Sequence, residues 1–136
     1  MILCDTGVLF SMVDRTQPRH DDCRRAVIGL QEVLITTWAC LTEVMYLSLG
    51  KGGWAMQKQV AKYLVDGLLK IHEIQRDDYG RLFELMEKYQ DRPMDLADAT
   101  LVLTAEKTGE SRILTLDADF LFYQISDKTS FDIIEI

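Results

Sequence analysis

Met1-Ile2-Leu3-Cys4-Asp5-Thr6-Gly7-Val8-Leu9-Phe10 is an apolar run of strand length that stops at one acid, turns at Thr6-Gly7 and resumes as an apolar, helix-like segment. Asp5 is the only charged side chain before Asp14. A carboxylate where a short buried strand meets the next element costs several kcal/mol unless it is hydrogen-bonded, paired or bound to a cation. The stretch therefore reads as strand, acid, helix, the opening unit of an α/β fold with something to compensate Asp5.

The same anomaly recurs further along. Glu43 is the only charge between Glu32 and Lys51, and its helical neighbours Ala39, Cys40, Tyr46 and Leu47 form a largely apolar face. Asp98 precedes Ala99-Thr100-Leu101-Val102-Leu103-Thr104-Ala105, with no other charge until Glu106. Asp117 follows Arg112-Ile113-Leu114-Thr115-Leu116, which reads as a buried strand whose only base, Arg112, lies at the far end from the acid. Isolated carboxylates without bases point to a metal.

Outward from these stretches, strands are expected at Ile2 to Cys4, Val33 to Thr36, within Leu68 to Ile74, at Ile113 to Leu116 and at Phe131 to Ile134. Helices are expected to end near Val13 and to cover His20 to Leu30, Thr37 to Leu49 with a stop at Gly50, Trp54 to Val65, Tyr79 to Tyr89 and Leu96 to Lys107. Thr37 and Asp95 are the expected N-caps of their helices, and Asp77 or Asp78 of the helix from Tyr79. Helical turns are also expected around Asp119 to Tyr123. Alternating strands and helices predict an α/β domain spanning residues 1–136, with a central parallel sheet of about five strands and helices on both faces. Ligands of such sheets sit beyond the carboxyl ends of the strands, which puts Asp5 and Asp117 at one edge.

The chain of 136 residues is one domain's worth, and 48% hydrophobic residues with a mean hydropathy of −0.02 place it among ordinary globular proteins. No apolar run reaches the ~18 to 20 residues of a membrane span, and the N-terminus lacks the basic flank of a signal peptide, so the cytoplasm is the expected location. Three cysteines (Cys4, Cys23, Cys40) without Cys-x-x-Cys spacing argue against a disulfide framework and a zinc ribbon. Cys4 and Cys40 read as core residues, and His20 and His72 as packing or solvated histidines. Fifteen bases against twenty-two acids, a net charge of −7, disfavour nucleic-acid binding by counterion release alone. A cluster of acids that binds divalent cations removes that objection locally, and a basic protein segment would also suit the charge.

The ordered set of Asp5 after an N-terminal strand, Glu43 within a helix, Asp98-Ala99 at a helix start and Thr115-Leu116-Asp117-Ala118-Asp119-Phe120 resembles the PIN domain, particularly VapC-like toxin ribonucleases. The resemblance covers nearly the whole chain. It implies a Mg²⁺- or Mn²⁺-dependent endoribonuclease, the toxin of a toxin–antitoxin pair. Asp5, Glu43, Asp98 and Asp117 would be its catalytic acids, and Asp5, Asp98, Asp117 and Asp119 its metal ligands. Thr6 and Thr115 match hydroxyl residues that support such acids. The resemblance also implies an RNA substrate, a separate antitoxin protein and a homodimer. The chemistry agrees: hard divalent cations take oxygen ligands, and one or two of them can activate water and stabilise the leaving 3′ oxygen.

Structural roles compete at each position. Asp5 could cap the following helix, Glu43 could snorkel from a helix edge, and Asp117 and Asp119 could be turn acids. Asp95 and Asp98 have the i, i+3 spacing of a reciprocal helix cap, so Asp95 stands open between ligand and cap. Asp5-Thr6-Gly7 also spells the aspartic protease tripeptide, but that chemistry needs a second such acid in a β-rich chain. Two functional alternatives stand beside the nuclease. One is an inactive PIN-like RNA-binding or regulatory module; the other is a phosphatase or phosphoacceptor domain, which would need a lysine beside its aspartate. Arg15, Arg19, Lys51 and Arg92 lie in expected loops, and Trp38 and Trp54 are expected in a core or an interface.

Overall fold

Five short strands pair in parallel in the order β3-β2-β1-β4-β7, in a computed structural model that describes all 136 residues. They are β1 (Ile2–Cys4), β2 (Leu34–Thr36), β3 (Leu69–Ile71), β4 (Arg112–Leu114) and β7 (Asp132–Ile133). Between them run α1 (Thr6–Val13), α2 (His20–Leu30), α3 (Trp38–Val65), α4 (Tyr79–Lys88) and α5 (Leu96–Thr108). The expected parallel α/β architecture is what the chain adopts. Register is set by pairs such as Ile2 with Leu34 and Leu3 with Ile113, all buried.

Alternation along the strands divides the core. Ile2, Cys4, Leu34 and Leu114 pack on one face with residues of α1, α2 and α3, while Leu3, Ile35 and Ile113 pack on the other with α4 and α5. Both faces being covered, the central strands β1 and β2 are apolar but for Thr36, while Lys70, Arg112 and Asp132 fall on the outer strands or at a strand start. All three cysteines are buried. The chain leaves β1 for β2 and β3 on one side, then crosses to β4 and β7 on the other. The switch point falls between β1 and β4, where such sheets form their ligand crevice.

Several boundaries differ from expectation. The helix after Thr37 does not stop at Gly50 but continues to Gly53, whose φ of 66° and ψ of −158° break α3. A lone glycine costs only ~1 kcal/mol in a helix, whereas a positive φ cannot continue one. Asp78 makes no side-chain cap and pairs with Lys107 at 2.9 Å instead. Trp38 and Trp54 are exposed, contrary to a core role, and the Trp38 indole N–H donates to Glu73. Val65, expected on the apolar side of its helix, is also exposed. His20 packs as expected, its Nδ1 2.6 Å from the Ser11 carbonyl oxygen.

One element had no sequence signal. β5 (Gln124–Ile125) and β6 (Thr129–Ser130) form an antiparallel hairpin turning through Ser126 and Asp127, both at positive φ. Its anchor is distant in sequence: Arg81 on α4 donates from Nε and Nη2 to Glu106 on α5 at 3.0 and 2.8 Å. Glu106 also accepts from the Ser126 N–H at 2.7 Å, and Arg81 and Lys88 both reach Asp127. Arg81→Ala is expected to cost about 2 kcal/mol in urea unfolding, because it strands a mostly buried Glu106. A loss below about 0.5 kcal/mol would show that the hairpin does not depend on this clamp.

Candidate metal centre

Asp5 is the residue after β1. Its backbone N–H is held by the Leu114 carbonyl of β4, and its side chain caps α1, Oδ1 accepting from the Thr6 N–H at 2.7 Å. The other oxygen, Oδ2, accepts from the Thr115 hydroxyl at 2.8 Å. Thr115 Oγ1 in turn accepts from the Asp117 N–H at 3.0 Å, so one hydroxyl ties the two acids together across the β1/β4 crevice. Thr6 supports Asp5 with its backbone, while its hydroxyl donates to the Cys40 carbonyl at 3.4 Å.

Asp117 accepts from the Asp119 N–H at Oδ1, at 2.9 Å, in a tight turn that opens a short 3₁₀ segment. Asp98 is the third residue of α5. The N-cap acid Asp95 accepts from the Asp98 N–H at 2.8 Å, which fixes that helix start. Asp98 Oδ2 accepts from the Tyr123 hydroxyl at 3.2 Å.

One carboxylate oxygen from each of Asp5, Asp98 and Asp117 lies within 4.8 Å of the others. Asp5 and Asp98 are buried, and Asp117 is more open. Glu43 and Asp95 line the same pocket with Thr6, Gly7 and Leu116, and no basic side chain does. None of these five acids forms an ion pair. Two positions differ from the sequence expectation. Glu43 is exposed on the pocket rim, because α3 turns Cys40, Leu41 and Val44 to the core and leaves Glu43 on its outer side, where Tyr46, Leu47 and Leu49 are exposed too. Asp119 stands outside the group of three, its carboxylate 3.6 Å from the Arg92 guanidinium.

The electrostatics are those of crowded, desolvated acids. Burial pushes the Asp98 carboxyl up to about 7, with Asp95, Asp5 and Asp117 adding to the rise and the Tyr123 hydroxyl opposing it. Burial likewise raises Asp5 to about 6 against the hydrogen bonds from Thr115 and Thr6. Glu43 is shifted upward by partial desolvation at the pocket rim, and by Asp95 and Asp5. Three converging carboxylates with no cation among them are a donor set for a hard divalent ion.

The PIN domain family matches residues 2–128. The chain belongs to the PIN domain family. Ribonuclease VapC26 of Mycobacterium tuberculosis is 24% identical to this PIN domain over 116 residues, covering 85% of the chain and 86% of that relative. The crystal structure of M. tuberculosis VapC20, described as a sarcin-ricin loop cleaving toxin, matches with a TM-score of 0.80 at 19% identity. The match covers 88% of this chain and 92% of that one, and at this identity it speaks to the fold. No helix of the PIN domain is long and apolar enough to cross a membrane.

Proposed function

We propose that this PIN domain is a divalent-cation-dependent endoribonuclease and the toxin of a toxin–antitoxin pair. The observation that carries the reading is the convergence of Asp5, Asp98 and Asp117 within 4.8 Å, two of them buried and none ion-paired. Family membership and a ribonuclease among the relatives support it. The absence of a lysine from the pocket counts against a phosphoacceptor.

Asp5, Asp98 and Asp117 would hold Mg²⁺ or Mn²⁺. When bound, the cation lowers the pKa of water and offsets phosphate charge. Asp5 and Asp117 are kept in register by Thr115, and Asp98 by its place on the first turn of α5. Glu43, on the rim, takes a proton as water attacks the phosphodiester, its upward-shifted carboxyl being a better base than a free glutamate. Hydrolysis breaks the bond from phosphorus to the 3′ oxygen, which takes up a proton from solvent, and leaves a 5′ phosphate and a 3′ hydroxyl. Asp119 holds Asp117 through its backbone N–H and joins as a ligand only by leaving Arg92. The −7 chain suits an antitoxin with a basic segment, and exposed Ile28, Tyr46, Trp54 and Val65 leave apolar surface for a second copy. Action on RNA fits the cytoplasm.

The test is incubation of the purified protein with a panel of RNAs in Mg²⁺, in Mn²⁺ and in chelator, with the product ends mapped. Metal-dependent cuts bearing 5′ phosphates are expected. A folded protein that cuts no RNA in Mn²⁺ would favour an inactive binding module.

The acids should also differ in rank. Asp95→Asn retains the capping oxygen and is expected to keep cleavage within about threefold of the parent. Glu43→Gln removes the base and is expected to lower it by ~10²-fold or more. Equal losses in the two variants would place Asp95 among the working acids.

A further inference from the structure

Asp95 and Asp98 have the spacing of a reciprocal helix cap, yet only half of that cap is made. Asp95 Oδ1 accepts from the Asp98 N–H at 2.8 Å, while Asp98 sends no bond back to the Asp95 N–H. In a full capping box a Glu or Gln at this helical position reaches back to the cap, and Asp98 is one methylene shorter. Here the Asp98 carboxylate is diverted: its Oδ2 accepts from the Tyr123 hydroxyl, and Oδ1 accepts no hydrogen bond from the chain. Tyr123 has no exposed surface.

The phenol is held by two neighbouring rings. Its ring packs edge-on against Phe120 and Tyr89 at centroid distances of 5.1 and 5.0 Å. The next residue, Gln124, donates its N–H to the Tyr89 hydroxyl at 3.0 Å and begins the hairpin that Arg81 and Glu106 clamp. A neutral donor on so rigid a support orients a carboxylate without cancelling its charge, which a lysine in the same place would do.

On the metal-site reading above, we infer that Tyr123 is a positioning residue for the cation. It turns Asp98 away from its own helix cap, occupies Oδ2, and leaves Oδ1 free to join Asp5 and Asp117. Outer hydrogen-bond partners of metal ligands typically carry 10–100-fold in metal affinity or activity.

The experiment uses Tyr123→Phe in the full chain, which removes the hydroxyl and keeps the ring stack. Mn²⁺ binding is measured without RNA by electron paramagnetic resonance, alongside cleavage across a Mn²⁺ titration and melting in chelator. The Kd for Mn²⁺ is expected to rise by about 10-fold, and the Mn²⁺ needed for half-maximal cleavage to rise with it. At saturating Mn²⁺, kcat and the KM for RNA should return to within about twofold of the parent. A lower melting temperature in chelator with an unchanged Kd would make Tyr123 purely structural and overturn the inference, as would a variant that fails to fold. A parent that binds no Mn²⁺ removes the metal site and this inference with it. A parent whose Mn²⁺ binding is lost in Asp98→Asn but unchanged in Tyr123→Phe overturns the role of Tyr123 alone.

Discussion

Asp5→Asn is expected to lower metal-dependent RNA cleavage by at least ~10³-fold while leaving the fold intact. The size follows from what a bound cation contributes to charge stabilisation, several kcal/mol, of which about 4 kcal/mol is a thousandfold in rate. The fold should survive because the neighbours of Asp5 can adapt. The carbonyl oxygen of the asparagine still accepts from the Thr6 N–H, and its NH₂ can donate to Thr115, whose hydroxyl is free to reorient. The measurements are single-turnover cleavage in Mn²⁺ and a thermal melt. Cleavage within tenfold of the parent, in a folded variant, would remove Asp5 from the ligands and with it the centre of the proposed site.

Asp98→Asn is expected to reverse its rank with the parent according to whether metal is present. In chelator at pH 8 the parent carries buried, mutually repelling carboxylates. Asp98 is raised to about 7 and Asp5 to about 6, both from an ordinary value of 3.8. Both bind protons more tightly folded than unfolded. The stability they contribute is therefore complete below about pH 4 and lost as pH rises through 6 and 7. Asparagine keeps the shape and can still accept from Tyr123, but it carries no charge. The variant should melt higher in chelator at pH 8, by ~1–2 kcal/mol or roughly 3–8 °C, and its melting temperature should fall less between pH 5 and 8. In Mn²⁺ at 100-fold over its Kd the parent gains about 2.7 kcal/mol that the variant does not, and the order inverts. A variant less stable than the parent in chelator, with neither protein shifted by metal, would make Asp98 a helix-start residue and nothing more.

Glu43 and the hairpin depend on more than neighbouring residues. In the sequence Glu43 is a lone charge among apolar residues, a pattern that does not by itself say which side of the helix faces solvent. The helix carries it on the solvent side, with Tyr46, Leu47 and Leu49 exposed beside it. Hydrophobic pattern reports burial only when a partner surface exists to cover it. Gln124 to Ser130 is polar and short, with none of the β-branched alternation that marks a strand pair, and the side chains that bond to it, Arg81, Lys88 and Glu106, come from two helices distant in sequence. Tyr123 has no distinguishing signal in the sequence, because one tyrosine in an aromatic run carries no sign of which acid it will face.

The alternation of short apolar strands with helices, and the acids that interrupt them, determined by themselves the parallel α/β architecture and the candidate acids Asp5, Asp98 and Asp117. The reason is local: short apolar runs, helix caps and isolated charges are written in neighbouring residues. Only the tertiary structure decided which acids share a point in space. It placed β1 beside β4, so that Asp5 and Asp117 meet through Thr115 although 112 positions separate them, and it turned Asp119 toward Arg92. It left the side-chain cap of α5 to Asp95 and set the Asp98 carboxylate against Tyr123. These outcomes depend on strand order and on which side chain donates to which oxygen, and both are set by packing between elements far apart in the chain.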